Sequence, residues 1–197
     1  TYEPTVQDSI RHGADIVCFS GDKLLGGAQA GIIVGKKAYI DKMKKNQMTR
    51  ALRIDKFTAA TLDVILHEYL SEERAIQNIP ALHMITESLE DVTKRAKSLQ
   101  RMLRQMKPKA EIVLEKCESQ IGGGSLPLER IESMAVTIKP NCITTAELEE
   151  RMRHLPIPII PRTMNDKIIL DVRTIEQRFF KTIVQELKES HIFEEKA

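Results

Sequence analysis

The sequence predicts a mixed α/β fold in two parts, residues 1–75 and 76–197, with a boundary near residues 75–80. Three observations carry this. Two compact apolar runs, Ala14 to Phe19 and Ala30 to Val34, flank a glycine-rich turn that holds one lysine, Ser20-Gly21-Asp22-Lys23-Leu24-Leu25-Gly26-Gly27. Short apolar runs bounded by turn residues read as strands. Further on, Leu82, Ile85, Leu89, Val92, Ala96, Leu99 and Leu103 recur at spacings of three and four, which makes one apolar helical stripe. Beyond Pro108 the pattern changes to alternation, at Ala110 to Glu115, with further strand candidates at Ser133 to Ile138 and Lys167 to Val172. Strands with helices on one face make the second part a small α+β domain.

Taken in order, Val6 to Arg11 predicts a short helix, with Gly13 as its C-terminal stop. The two flanking strands are predicted buried, and Cys18 within the first is read as a core residue. Lys36 to Lys45 predicts a basic amphipathic helix, apolar at Ile40 and Met43. A solvated face is the favoured reading of its lysines over an RNA site. Thr58 to Tyr69 predicts a helix rich in Leu, Ile and Ala. After Pro80 one long helix is expected from about Leu82 to Met106, ended by Pro108. Thr144 to Arg153 predicts a helix capped by Thr144 or Thr145. The prolines at 156, 158 and 161 force Leu155 to Pro161 to be extended or loop. Thr174 to Glu189 predicts the last helix.

Composition narrows the function classes. Of 197 residues, 42% are apolar, enough for a core, and the net charge is only +2. That balance argues against DNA and against a strongly basic nucleic-acid domain, so any RNA surface is expected mostly elsewhere. No stretch approaches the ~20 apolar residues of a membrane span. The start, Thr1-Tyr2-Glu3-Pro4, has no basic region before an apolar run and no initiator methionine. It is read as a processed chain or part of a longer one. Cys18, Cys117 and Cys142 show no metal-type spacing and suit a reducing, cytoplasmic setting. His12, His67, His83, His154 and His191 do not cluster, and no metal is assigned.

Lys23 is the first candidate site residue. A lysine on a strand end between glycines is how an amine that forms a Schiff base with pyridoxal phosphate is presented. A solvated turn lysine is the alternative. Ser20 is placed either to bond the cofactor phosphate or to stabilise the turn. Asp22 either orients Lys23 or only forms the turn. Arg50 and Arg53, three apart, fall on one face of a helical turn. Two guanidiniums so close suit a tetrahedral oxyanion between them, although the residues alone favour a pair of surface arginines. Gly122-Gly123-Gly124-Ser125 reads as a flexible loop between strands that lacks the ending of a nucleotide loop.

Several separated stretches resemble the bacterial selenocysteine synthase family, the L-seryl-tRNA(Sec) selenium transferases. They are Glu3-Pro4-Thr5-Val6-Gln7, the Ser20 to Gly27 turn, Arg50-Ala51-Leu52-Arg53-Ile54-Asp55-Lys56, Gly122-Gly123-Gly124-Ser125-Leu126-Pro127 and Asp171-Val172-Arg173-Thr174. One departure is Ala28, where the family usually has proline. Alanine there frees one backbone angle and removes no chemical group.

The resemblance implies the C-terminal part of a fold-type-I pyridoxal-phosphate enzyme, namely the end of a large aminotransferase-like domain and a small α+β domain. It implies Lys23 as the Schiff-base lysine, Ser20 on the cofactor, and Arg50 and Arg53 on selenophosphate. The implied activity converts seryl-tRNA(Sec) to selenocysteyl-tRNA(Sec) in the cytoplasm. The groups for the pyridine nitrogen and ring face are expected upstream of this segment. Strand edges left by the upstream sheet are expected to pair in a homo-oligomer. Arg173 is left open between a structural role and contact with an ester or phosphate. Two rival readings stand. One is a related lyase or aminotransferase-like enzyme acting on a free amino acid or amino sugar phosphate, with Arg173 on a carboxylate. The other is a non-catalytic assembly module.

Overall fold

The structure, a computed structural model, describes residues 4–122 and 129–194. The chain is mixed α/β with two small sheets and divides into two compact units, the first of residues 4–86 with 121, 122 and 129, the second of residues 87–120 and 130–194.

In the first unit, α1 (Val6–Arg11) begins with a reciprocal cap. Thr5 accepts from the Asp8 amide, and Asp8 reaches back to the Thr5 amide. Gly13 follows at φ +98°, the left-handed position that stops the helix, as predicted. Strands β1 (Ile16–Ser20) and β2 (Gly31–Gly35) pair antiparallel, with Cys18 opposite Ile33 and Ser20 opposite Gly31. Residues 21–30 therefore connect the two strands at one end of a ribbon. Next come α2 (Lys37–Lys45), α3 (Gln47–Leu52), α4 (Lys56–Glu68), α5 (Glu72–Asn78) and α6 (Pro80–Thr86). Asn46, Asp55 and Ser71 supply side-chain caps to α3, α4 and α5. Proline opens α6, where its missing amide costs nothing.

Burial in this unit is sparse. Ala30, Leu62, Ala75 and Ile79 are its buried apolar residues among those described, while Leu52, Phe57 and Leu70 are 75, 74 and 81% exposed. The expected burial of Cys18 is corrected. A two-stranded ribbon has one face left open, and Cys18 lies on it beside the exposed Ile33. Cys117 is half-buried, and its thiol is pushed up by burial and by the nearby Asp171 charge. Iodoacetamide should therefore alkylate Cys18 well before Cys117. Time-resolved mass spectrometry that found Cys117 labelled first would contradict this assignment.

The second unit holds the main core. The predicted long helix is two helices. α6 ends at Thr86, and α7 (Leu89–Gln105) starts afresh from Ser88, which accepts from the Asp91 amide at 3.1 Å and donates to its carboxylate at 2.8 Å. Beside the break, Arg95 grips the Glu87 carboxylate with two bonds of 3.0 and 2.6 Å. Strands β3 (Ala110–Gln120), β4 (Arg130–Pro140), β5 (Arg162–Met164) and β6 (Lys167–Asp171) form an antiparallel sheet in the order β3-β4-β6-β5. β3 and β4 run longer than predicted, and β5 was not foreseen. Helix α8 (Thr145–Arg153) starts at the expected cap, with Thr144 accepting from the Glu147 amide. α9 (Phe180–Glu189) begins later than expected, because two 3-10 turns occupy residues 172–174 and 177–179.

Strand alternation gives this sheet two unlike faces. Ile112, Val136, Ile138, Ile168 and Leu170 join Val92, Ala96, Leu99 and Leu103 of α7, Leu148 and Met152 of α8 and Phe180 of α9 in one core. Residues of the opposite parity carry a polar network. The buried Asp171 carboxylate accepts from Ser119 (2.5 Å), Ser133 (2.6 Å), Arg162 (3.0 Å) and the Arg173 amide (3.2 Å). Among the described residues no helix is long and apolar enough to cross a membrane.

Candidate functional site around Lys23

The turn that carries Lys23 is fixed by its own backbone. The Gly21 amide bonds the Ala30 carbonyl at 2.9 Å and closes its mouth. The Gly27 amide bonds Gly21 at 2.8 Å, and the Gly26 amide bonds the Lys23 carbonyl at 2.9 Å. Gly26 sits at φ +71°, and a Cβ there would lie 2.5 Å from Ile79 Cγ2. A Cβ on Gly21 would lie 2.5 Å from the Ala28 carbonyl oxygen, and one on Gly27 2.9 Å from Leu62 Cδ2. The space these glycines leave is filled by the protein itself, so their first use is close packing of the turn.

At the surface of this turn three side chains meet. Lys23 Nζ stands 3.2 Å from Asp22 Oδ2, and the Ser20 hydroxyl donates to Asp22 Oδ1. The Ser20 bond, followed by that from Lys23, holds the Asp22 carboxyl below its ordinary value. The Lys23 side chain is 44% exposed. An accessible amine on a fixed turn fits a carbonyl cofactor. Ser20 faces Asp22, so its hydroxyl must rotate before it can meet a phosphate.

Sequence reasoning missed Tyr69. This residue ends α4, and its hydroxyl lies 3.3 and 3.1 Å from the carbonyl oxygens of Leu24 and Leu25, directly after Lys23. Nothing local announces a contact across that separation. The only hint was a tyrosine closing an apolar helix, where its polar end needs a partner.

Arg50 occupies the last turn of α3, and Arg53 follows as its C-cap with extended backbone, φ −64° and ψ 143°. The helix thus stops between them, and the single helical face expected from their spacing is replaced by a helix end. Both are exposed, and neither side chain makes a hydrogen bond or ion pair with a described residue; the Arg53 amide bonds the Thr49 carbonyl at 2.9 Å. Asp55, two residues on, is committed elsewhere. It caps α4 through Phe57 and Thr58, bonds that lower its pKa, those from Thr58 first. Two cationic forks are therefore left open to an anion. No hydrogen bond or ion pair joins them to Ser20, Asp22 or Lys23.

The open reading of Arg173 resolves to structure. It is 4% exposed, and its guanidinium donates to the backbone carbonyls of Glu87 (2.8 Å) and Glu132 (2.6 Å). These two bonds tie Arg173 into the framework of the second unit. Of the glycine loop, Gly122 is exposed and Gly123 to Leu128 lie outside the described residues. His12, His67 and His154 each place Nδ1 2.8 Å from a carbonyl oxygen four residues earlier.

The profile of the L-seryl-tRNA selenium transferase family matches residues 1–176. Three curated relatives carry the name L-seryl-tRNA(Sec) selenium transferase. The protein of Alkaliphilus oremlandii is 50% identical over 189 residues, 96% of this chain and 40% of its own length. That of Clostridium botulinum strain Hall is 52% identical over 188 residues, 95% of this chain and 41% of its own. That of Alkaliphilus metalliredigens is 46% identical over 187 residues, 95% and 40%. The chain spans about two fifths of the length of these relatives. It belongs to the L-seryl-tRNA selenium transferase family, whose members are pyridoxal-phosphate enzymes of fold type I.

Proposed function

We propose that this chain supplies the amine and the anion-binding arginines of an enzyme that converts seryl-tRNA(Sec) to selenocysteyl-tRNA(Sec), with pyridoxal phosphate as cofactor and selenophosphate as selenium donor. The observation that carries this is the Lys23 amine, exposed on a turn held by the backbone bonds of Gly21, Gly26 and Gly27. When bound, the cofactor supplies an electron sink that eases loss of the substrate α-proton. Lys23 Nζ is the amine that would hold the cofactor carbonyl, and once displaced by the substrate amine it is free to take and return that proton. Asp22, pinned by Ser20, keeps the amine in place between these duties. Ser20 would meet the cofactor phosphate by turning its hydroxyl away from Asp22. Arg50 and Arg53 bind the tetrahedral selenium donor.

The burial of Arg173 disfavours the rival free amino acid substrate, because the arm that reading needs for a carboxylate is already used. The exposed Leu52, Phe57 and Leu70 support assembly into a homo-oligomer, and an enzyme of aminoacyl-tRNA works in the cytoplasm.

In the complete enzyme, Arg53→Ala should raise the selenophosphate concentration needed by roughly ten- to hundredfold, the loss of one charge-assisted contact worth about 1.5–3 kcal/mol. Loading of cofactor, read by its visible absorbance, should not change. Arg53→Lys should rescue poorly because the planar fork is gone. Loss of cofactor in Arg53→Ala would instead place these arginines on the cofactor or in the framework.

A further inference from the structure

We propose that Tyr69 is a positioning residue for Lys23, and that through it helix α4 sets where the amine stands. The inference rests on the reading of Lys23 given above. A lysine amine ends a four-carbon stem, so the protein controls its position mainly through the backbone at its root. At that root three successive carbonyls are occupied. The Lys23 carbonyl is taken by the Gly26 amide, and those of Leu24 and Leu25 share the Tyr69 hydroxyl. One donor divided between two neighbouring acceptors orients two peptide planes together.

Tyr69 is also the one described side chain outside residues 20–31 that hydrogen-bonds into this turn. Packing on the same helix repeats the message. Leu62, seven residues earlier, is buried, and its Cδ2 fills the space that side chains on Gly21 and Gly27 would need. Ile79 closes the same space at Gly26. Leu62 thus seats the turn, while the hydroxyl of Tyr69 orients it. Burial pushes the Tyr69 phenol up, so it remains a donor at neutral pH. Catalytic groups misplaced by about 1 Å lose up to a hundredfold in rate, which is the scale on which this tether acts.

The test is Tyr69→Phe in the complete enzyme, which keeps the ring and removes only the donor. Amide exchange at Gly26 and Gly27 should speed up by about five- to tenfold, with Leu99 and Val136 in the second unit unchanged. Turnover should fall by about tenfold while the KM for selenophosphate holds and cofactor absorbance is retained. Tyr69→Leu, which also loses the ring, should be worse on both readouts. Unchanged exchange at Gly26 and Gly27 would overturn the proposal. So would a general fall in Tm with normal turnover per folded molecule, since that assigns Tyr69 to stability alone. Lys23→Ala separates the two levels. If it keeps the cofactor absorbance, the reading of Lys23 fails. If it loses the absorbance while Tyr69→Phe behaves as wild type, only the role of Tyr69 fails.

Discussion

Lys23→Ala in the complete enzyme is expected to abolish turnover together with the visible absorbance of bound cofactor. Removing a positioned proton carrier alone costs about 10²–10⁴-fold in rate, and here the covalent anchor is lost as well. Borohydride reduction of the wild type, followed by peptide mapping, should mark the peptide that contains Lys23. Neighbouring lysines are poorly placed to substitute. Lys36 is paired with Asp15 at the base of the ribbon, and Lys37 with Asp41 along α2. A Lys23→Ala protein that retained both absorbance and turnover, and lost both on borohydride treatment, would show that another amine does the work.

The largest stability effect is expected at Asp171. Asp171→Ala strands the buried hydroxyls of Ser119 and Ser133 beside a hole, while the half-exposed Arg162 turns to water. Leaving a buried donor unsatisfied costs about 1–3 kcal/mol, so two stranded hydroxyls put the loss at about 2–5 kcal/mol. Asp171→Asn should cost less, because one side-chain oxygen remains to accept. Urea denaturation followed by amide exchange in β4 and β6 would measure both. A cost below about 1 kcal/mol for the alanine variant would show that water replaces the carboxylate without penalty. The second unit should bear this loss, and the Lys23 turn should keep its exchange rates.

What could be foreseen followed from how local each signal is. Val6–Arg11, with its glycine stop, and the Thr144 cap were visible because side chain and backbone partners lie within three residues. The turn that carries Lys23 was visible for the same reason, since its glycines and flanking strands are contiguous. The break at Ser88 was missed because the apolar spacing from Leu82 to Leu103 runs through it in phase. The pair Ser88 and Asp91, a serine followed three residues later by an acid, was the available clue. Burial of Cys18 was misjudged because an apolar run does not reveal how many strands will cover it. Tyr69 and Ile79 reach the turn from tens of residues away, where pattern is silent. Asp-Val-Arg-Thr showed an arginine at a strand end but not that it would turn inward. The 3-10 turn there is set by Asp171, whose side chain accepts from the Arg173 amide.

The seven-residue step from Leu62 to Tyr69 gives α4 a fixed phase. Seven helical steps fall only about 20° short of two full turns, so both side chains project from the same side onto the turn of Lys23. One residue inserted or deleted between them would rotate the hydroxyl by about 100° around the helix and carry it along by about 1.5 Å. Substitutions at Asp63 or Val64, which are exposed and turned away from that side, leave that phase intact. The length of this helix segment, rather than the identity of most of its residues, is therefore what inheritance must preserve. Related chains should differ freely in letters along α4 and scarcely at all in their count.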